Sequence, residues 1–240
     1  MIHTFQSIDE LSDALSEKVI KLAGVCFLAG HPFNIALSGG STPGSLFEKI
    51  ASANQNPILW EQVKFFWVDE RCVPPDHPES NFRMADETFF RPIELGYTHV
   101  YRMMGEEEPY AEAYRYETLL RTHLPAREGL PCFNIILLGM GTDGHTASIF
   151  PNQMDLLYSR RICEVSTHPA TGQQRITLTG PVINNADLIC FMITGLNKAG
   201  VLASILEGGK GAEKFPAAHI KPAHGLMEWY LDQGAARLFR

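Results

Sequence analysis

The feature that most restricts the fold of this chain is a set of apolar runs that do not alternate with polar residues. Phe33–Ser38, Val63–Asp69, Phe133–Gly139, Arg175–Thr179 and Asp187–Thr194 read as strands, and at least three of them are apolar almost throughout. A strand with one wet face alternates, whereas a strand covered on both faces does not, and strands of the second kind belong to parallel sheets. Helix candidates lie between the runs. Ile8–Ala29 carries Leu11, Ala14, Leu15, Val19 and Leu22 in a helical stripe, and Thr42–Ile50 has Pro43 in its first turn. Pro109–His123, Asn197–Leu206 and Leu226–Leu238 complete the set. Strand, loop and helix in alternation predict an α/β fold with a mostly parallel central sheet and helices on both faces. No internal repeat is visible, and strand-like material does not resume as a separate unit after the loop candidate Gly208–Pro216. The expectation is one domain over residues 1–240.

Composition narrows the function classes. The chain is 45% hydrophobic and 20% charged, which is ordinary for a soluble globular protein. A net charge of −7 argues against a nucleic-acid surface but not against a small anion, because a few cations reverse the potential inside one pocket. Cys26, Cys72, Cys132, Cys163 and Cys190 have no C-x-x-C spacing and read as reduced thiols, with no metal framework. The first residues, MIHTFQSIDELSDALSEKV, are too polar for a signal peptide, and no run is long enough to span a membrane. A cytoplasmic protein with no membrane partner is expected.

Ligands of open parallel sheets collect beyond the carboxyl ends of the strands, so the loops there carry the function. After the first run, SGGSTP offers Gly39, Gly40, Ser41 and Thr42 just before a helix opened by Pro43. This is either a phosphate seat on a helix N-terminus or a tight turn with a Ser or Thr cap. After the second run, Asp69, Glu70 and Arg71 stand together ahead of a Pro-rich loop. They form either a surface salt-bridge cluster or, through Arg71, a bidentate partner for phosphate oxygens. After the third run, Gly139, Gly141 and Gly144 spell G-x-G-x-x-G, with Glu164 twenty residues further on. That spacing matches a dinucleotide fingerprint. Pro151 follows too soon for the helix of a βαβ unit, and Asp143 would set a negative charge against a pyrophosphate. A better reading makes Asp143-Gly144-His145 a catalytic element. His145 would occupy a first helical turn, where the dipole favours neutral imidazole suited to taking a proton from water. Asp143 would orient the ring or the water; a histidine that merely caps the turn fits these residues equally well.

Taken in order, SGGSTP (Ser38–Pro43), DER-x-V-P with SN (Asp69–Pro74, Ser80–Asn81), G-x-G-x-D-G-H-T-A-S-x-F-P (Gly139–Pro151), RITLT (Arg175–Thr179), Lys198 and PAAHI (Pro216–Ile220) resemble the 6-phosphogluconolactonase family. The resemblance spans nearly the whole chain. It implies a Rossmann-like fold shared with sugar-phosphate isomerases and no cofactor. It also implies hydrolysis of 6-phospho-D-glucono-1,5-lactone to 6-phosphogluconate in the oxidative pentose phosphate pathway. On that footing His145 and Asp143 are the catalytic pair. The Gly39–Thr42 loop, Arg71, Arg175 and Lys198 hold the phosphate, and the partner is the small sugar-phosphate lactone, bound by a monomer or weak oligomer. Without the resemblance, Arg175 reads as an edge charge and Lys198 as a solvated side chain. Two alternatives remain. Glucosamine-6-phosphate deaminases share the G-x-G-x-D-G-H element but commonly have Tyr after the D-E pair and Glu seven residues after the Asp; here Arg71 and Phe150 stand there. A sugar-phosphate sensor would use the same pocket without turnover.

Overall fold

The computed structural model describes residues 1–53 and 57–239. In chain order the strands are β1 (Ile2–Phe5), β2 (Phe33–Leu37), β3 (Val63–Trp67), β4 (Asp69–Arg71), β5 (Ala126–Arg127), β6 (Leu130–Pro131), β7 (Ile135–Leu138), β8 (Cys163–Thr167), β9 (Gln174–Leu178), β10 (Leu188–Ile193) and β11 (Leu226–Asp232). The helices are α1 (Ile8–Leu28), α2 (Ser41–Ala53), α3 (Pro57–Trp60), α4 (Asn81–Ala85), α5 (Pro109–His123), α6 (Gly180–Ile183), α7 (Ala199–Leu206) and α8 (Gln233–Ala236). Six strands form one sheet in the order β1-β11-β10-β7-β2-β3, with every neighbouring pair parallel. β2, β7 and β10 are buried at every residue, as their unbroken apolar runs demand. α1 starts where the Ser7 hydroxyl accepts the Glu10 N–H, and its stripe of Leu11, Leu15 and Val19 is buried against the sheet and α2. No described helix is long and apolar enough to cross a membrane.

Two runs depart from the sequence-based expectations. Val63–Asp69 is not one strand. The chain leaves the main sheet at Val68, whose N–H donates to Leu37 O at 2.9 Å while its carbonyl accepts Leu178 N–H at 2.7 Å. β4 then joins β9 and β8 in a small antiparallel sheet, so Arg175–Thr179 falls in that sheet and not in the parallel one. Leu226–Leu238 is a strand followed by one helical turn, not a helix. β11 fills the slot between β1 and β10, and its Trp229 stacks on Phe191 with ring centroids 4.2 Å apart. Burial of Trp229, Tyr230 and Leu231 between two strands outweighs a local pattern that suits a helix. β1, which pairs with this strand, carries no apolar run and escaped notice for that reason.

Candidate active site

β2 and β7 are neighbours, yet the chain leaves them in opposite directions, β2 through α2 to β3 and β7 toward the side of β10. A switch of this kind parts the following loops and opens a crevice at the strands' carboxyl ends. A cleft of about 260 Å³ lies there. Gly39, Gly40, Ser41, Thr42, Arg71, His145, Arg175 and Lys198 all line it, joined by Asp69 and Asn81. Asp143 does not line it and instead stands behind His145.

The histidine loop is built by close approach of backbone, not by a helix. Gly141 N–H donates to His145 O at 2.9 Å and Gly144 N–H to Gly141 O at 3.1 Å, while Thr146 pairs with Ile149 in an isolated bridge and Ala147 takes a left-handed φ of 48°. The expected first helical turn at His145 is therefore absent, and no helix dipole acts on the ring. Asp143 orients the ring instead. Its Oδ1 accepts the His145 backbone N–H at 3.1 Å and lies 2.6 Å from ring Nδ1. A carboxylate can only accept, so Nδ1 carries a proton, and in the neutral ring the lone pair belongs to Nε2. Burial pushes the Asp143 carboxyl up, but the bonds and charge of His145 outweigh it and leave the group below its ordinary value. A Cβ on Gly141 would fall 2.2 Å from His145 Nδ1 and 2.5 Å from Asp143 Oδ1, so only glycine leaves room for the pair. Phe150 backs the histidine ring at 4.9 Å and carries the Arg175 guanidinium 5.7 Å above its face.

Part of the cleft lining is cationic. Arg71 and Arg175 are direct cross-strand partners in the β4–β9 ladder. Like charges placed opposite one another destabilise a sheet, so the pair makes sense as half of an arrangement that an anion completes. Burial holds Arg175 below the ordinary guanidinium value, with Asp69 pulling up and Arg71 pushing down. The Nε groups of both arginines are buried without a partner. Lys198 ends a 3₁₀ turn (Leu196–Lys198) and stands at the N-cap of α7, where a cation opposes the helix dipole; burial lowers its pKa, against the pull of Asp232. Ser41 opens α2, whose first-turn N–H groups point out of the helix. The Thr42 hydroxyl is already bonded to that of Thr194 at 2.8 Å.

The Asp-Glu-Arg cluster is not a surface salt bridge. Glu70 is buried and accepts from Arg71 N, Asn81 N, Phe82 N and the Ser80 hydroxyl, all within 3.0 Å, which ties the Pro-rich loop to the start of α4. Burial raises its pKa against those four donors. Asp69, also buried, accepts the Ser148 hydroxyl at 2.5 Å. Asn81 donates Nδ2 to Asp69 O at 2.8 Å, which fixes the amide orientation and leaves Oδ1 unbonded beside Gly39. Asp69, Asn81 and Ser148 were missed as site residues. The only signal for them was position, in DER at a strand end and in SN and HTAS within the segments that follow strands.

A doubly wound α/β sheet with its polar and cationic groups gathered at the switch point defines a class that binds small anionic ligands there. A family model described as glucosamine-6-phosphate isomerases/6-phosphogluconolactonase matches residues 6–229, and the chain belongs to that family. It is 46% identical over 171 residues to the 6-phosphogluconolactonase of Treponema pallidum, covering 71% of each chain. It is 41% identical to the 6-phosphogluconolactonase of Haemophilus influenzae, over 87% of this chain and 88% of the relative. The solved structure of devB protein superposes with a TM-score of 0.91 at 38% identity, over 99% of both chains.

Proposed function

We propose that the chain, as one domain, hydrolyses 6-phospho-D-glucono-1,5-lactone to 6-phosphogluconate. The observation that carries the proposal is the Asp143–His145 pair, with ring Nδ1 held 2.6 Å from Asp143 Oδ1, in a cleft that Arg71 and Arg175, cross-strand partners, also line. The lactone is an activated ester and needs no covalent nucleophile. Nε2 of His145 takes a proton from water as the water oxygen bonds to C1; the carbonyl electrons move onto oxygen. The intermediate collapses, the bond from C1 to the ring oxygen breaks, and the imidazolium returns its proton to that oxygen. General-base help of this kind contributes ~10²–10⁴-fold. The N–H groups of Gly141, Gly144 and His145 are already committed within their own loop, so oxyanion donors come from elsewhere in the cleft.

The 6-phosphate is remote from the breaking bond and serves positioning, held by the Gly39–Thr42 loop with Arg71, Arg175 and Lys198. Asp69 and Asn81 Oδ1 are acceptors among these donors and suit the hydroxyls of the sugar. Deaminase chemistry is disfavoured because Phe150, at the position of the relay acid, is buried hydrocarbon. The test is hydrolysis of freshly generated lactone, less its spontaneous rate. No rate above background would sink the proposal, and ammonia release from glucosamine 6-phosphate would then be measured.

A further inference from the structure

We propose that the Phe215–Ile220 turn is a positioning element that sets the pitch of the Asp143–His145 pair through the Gly144 peptide. The role assumes the lactonase chemistry above. Gly144 lies between the two residues, with a left-handed φ of 78°. Its carbonyl accepts the Ala217 N–H at 3.0 Å, and a Cβ on it would fall 2.6 Å from Phe215 Cδ1, so the ring rests directly on the Gly144 backbone. The peptide that carries this carbonyl also carries the His145 N–H, which reaches Asp143 Oδ1. Rotating that one peptide plane would break both bonds and swing the imidazole. The histidine loop has no helix to resist such a rotation, so a tertiary brace must.

The brace is itself stiff. Pro216 fixes one φ, and Phe215 N–H and Ala218 N–H close short turns onto Ala212 O and Phe215 O, both at 3.0 Å. His219 Nε2 faces Glu213 O at 2.7 Å and so carries the ring proton, leaving Nδ1 to accept from the Tyr158 hydroxyl at 3.0 Å. Lys221 N–H donates to Asn184 Oδ1 at 2.7 Å, and Pro216, Ala217 and Ile220 are buried. The turn thus grips the chain at Gly144, before the Phe150 bend, and at Tyr158, after it. The PAAHI residues, which contribute no group to the cleft, acquire a function as the support of one that does.

The test compares Phe215→Ala, Phe215→Leu, Ala217→Pro and the wild type by steady-state kinetics and by proton NMR titration of the His145 imidazole, assigned by its loss in His145→Ala. Phe215→Ala is expected to lower kcat by ~10–10²-fold, the scale of a small misplacement, with KM within about twofold. Its His145 titration is expected to move toward that of Asp143→Asn, and Phe215→Leu to restore most of both. Ala217→Pro, which deletes the N–H, moves the same way if it folds. Phe215→Ala that melts earlier but keeps wild-type kcat and titration is merely a structural loss and overturns the proposal. Should the wild type prove to be no lactonase, the NMR comparison still decides the brace by itself.

Discussion

The loops after β2 and β7 look alike in sequence, each a glycine-rich turn following a buried strand, and they sit side by side at the switch point. The first opens a helix of 13 residues and presents generic donors: first-turn N–H groups and hydroxyls whose placement follows from the helix itself. The second opens no helix. Its shape comes from backbone bonds at Gly141 and Gly144, from the tight fit of the Asp143–His145 pair over Gly141, and from the Phe215 turn. A site that only has to hold an anion can lean on secondary structure. A site that has to aim one nitrogen at one atom is built from individual contacts, and single substitutions should therefore damage it in a different way.

His145→Ala is the largest break. It should lower kcat by ~10²–10⁴-fold with little change in KM, because the base acts on the reacting water and not on the bound phosphate. Unaltered kcat would keep the lactonase and remove His145 from the mechanism. Gly141→Ala should come next, at ~10²-fold in kcat, since the added methyl would have to occupy the space of Nδ1 and Oδ1. Gly139→Ala meets nothing within 4 Å and should leave the His145 imidazole titration as in the wild type. Equal damage from both would mean that the loop is read wrongly.

The cationic part of the lining should fail in KM. Arg175→Gln or Lys198→Ala removes a charge-assisted contact of ~1.5–3 kcal/mol, about 10–10²-fold in KM, with kcat nearly kept. Arg175→Gln also relieves the like-charge pairing with Arg71, so the unliganded variant should melt higher than the wild type. Inorganic phosphate should raise the wild-type Tm and move the variant's less. A variant that melts lower without ligand would show that Arg175 is structural.

How much of this was legible in the sequence follows the same division. β2, β7 and β10 announce themselves as unbroken apolar runs because they are buried on both faces. β11 does not, because Glu228 interrupts its run and is tolerated through Lys18 at 2.6 Å and His3 at 3.3 Å, distant partners that no local window contains, with Tyr230 donating at 3.0 Å from within the strand. The residue types of the cleft were readable from the three loops and the strand start at Arg175. Their geometry was not. The pairing of Arg71 with Arg175 depends on Val68 carrying the chain from one sheet to the other, and the burial of Asp69 and Glu70 depends on Ser80, Asn81 and Ser148 coming back to them. G-x-G-x-x-G suggested a helix after Gly144 because that spacing usually precedes one; here the glycines make room for side chains.

The smallest effect is on stability against pH. Asp143 has its carboxyl lowered in the folded protein by His145, so its ionised form favours the fold at any pH above the unfolded carboxyl value, about 3.9. That contribution fades as pH falls through the depressed folded value. Asp143→Asn should therefore be less stable than the wild type at neutral pH by an amount that stays level down to about pH 5 and closes in stronger acid. With the carboxylate side chain 42% exposed, the gap should be below about 1 kcal/mol. The kcat of Asp143→Asn should fall far more than so small a gap suggests, since an amide can offer Nδ1 an N–H and hold the ring in the wrong tautomer. Denaturant unfolding of both proteins between pH 3 and pH 8, set beside their kcat, measures the two together. A large stability loss with kcat intact would mean that Asp143 holds the loop and not the histidine, and the two neighbouring loops would then differ less than their geometry indicates.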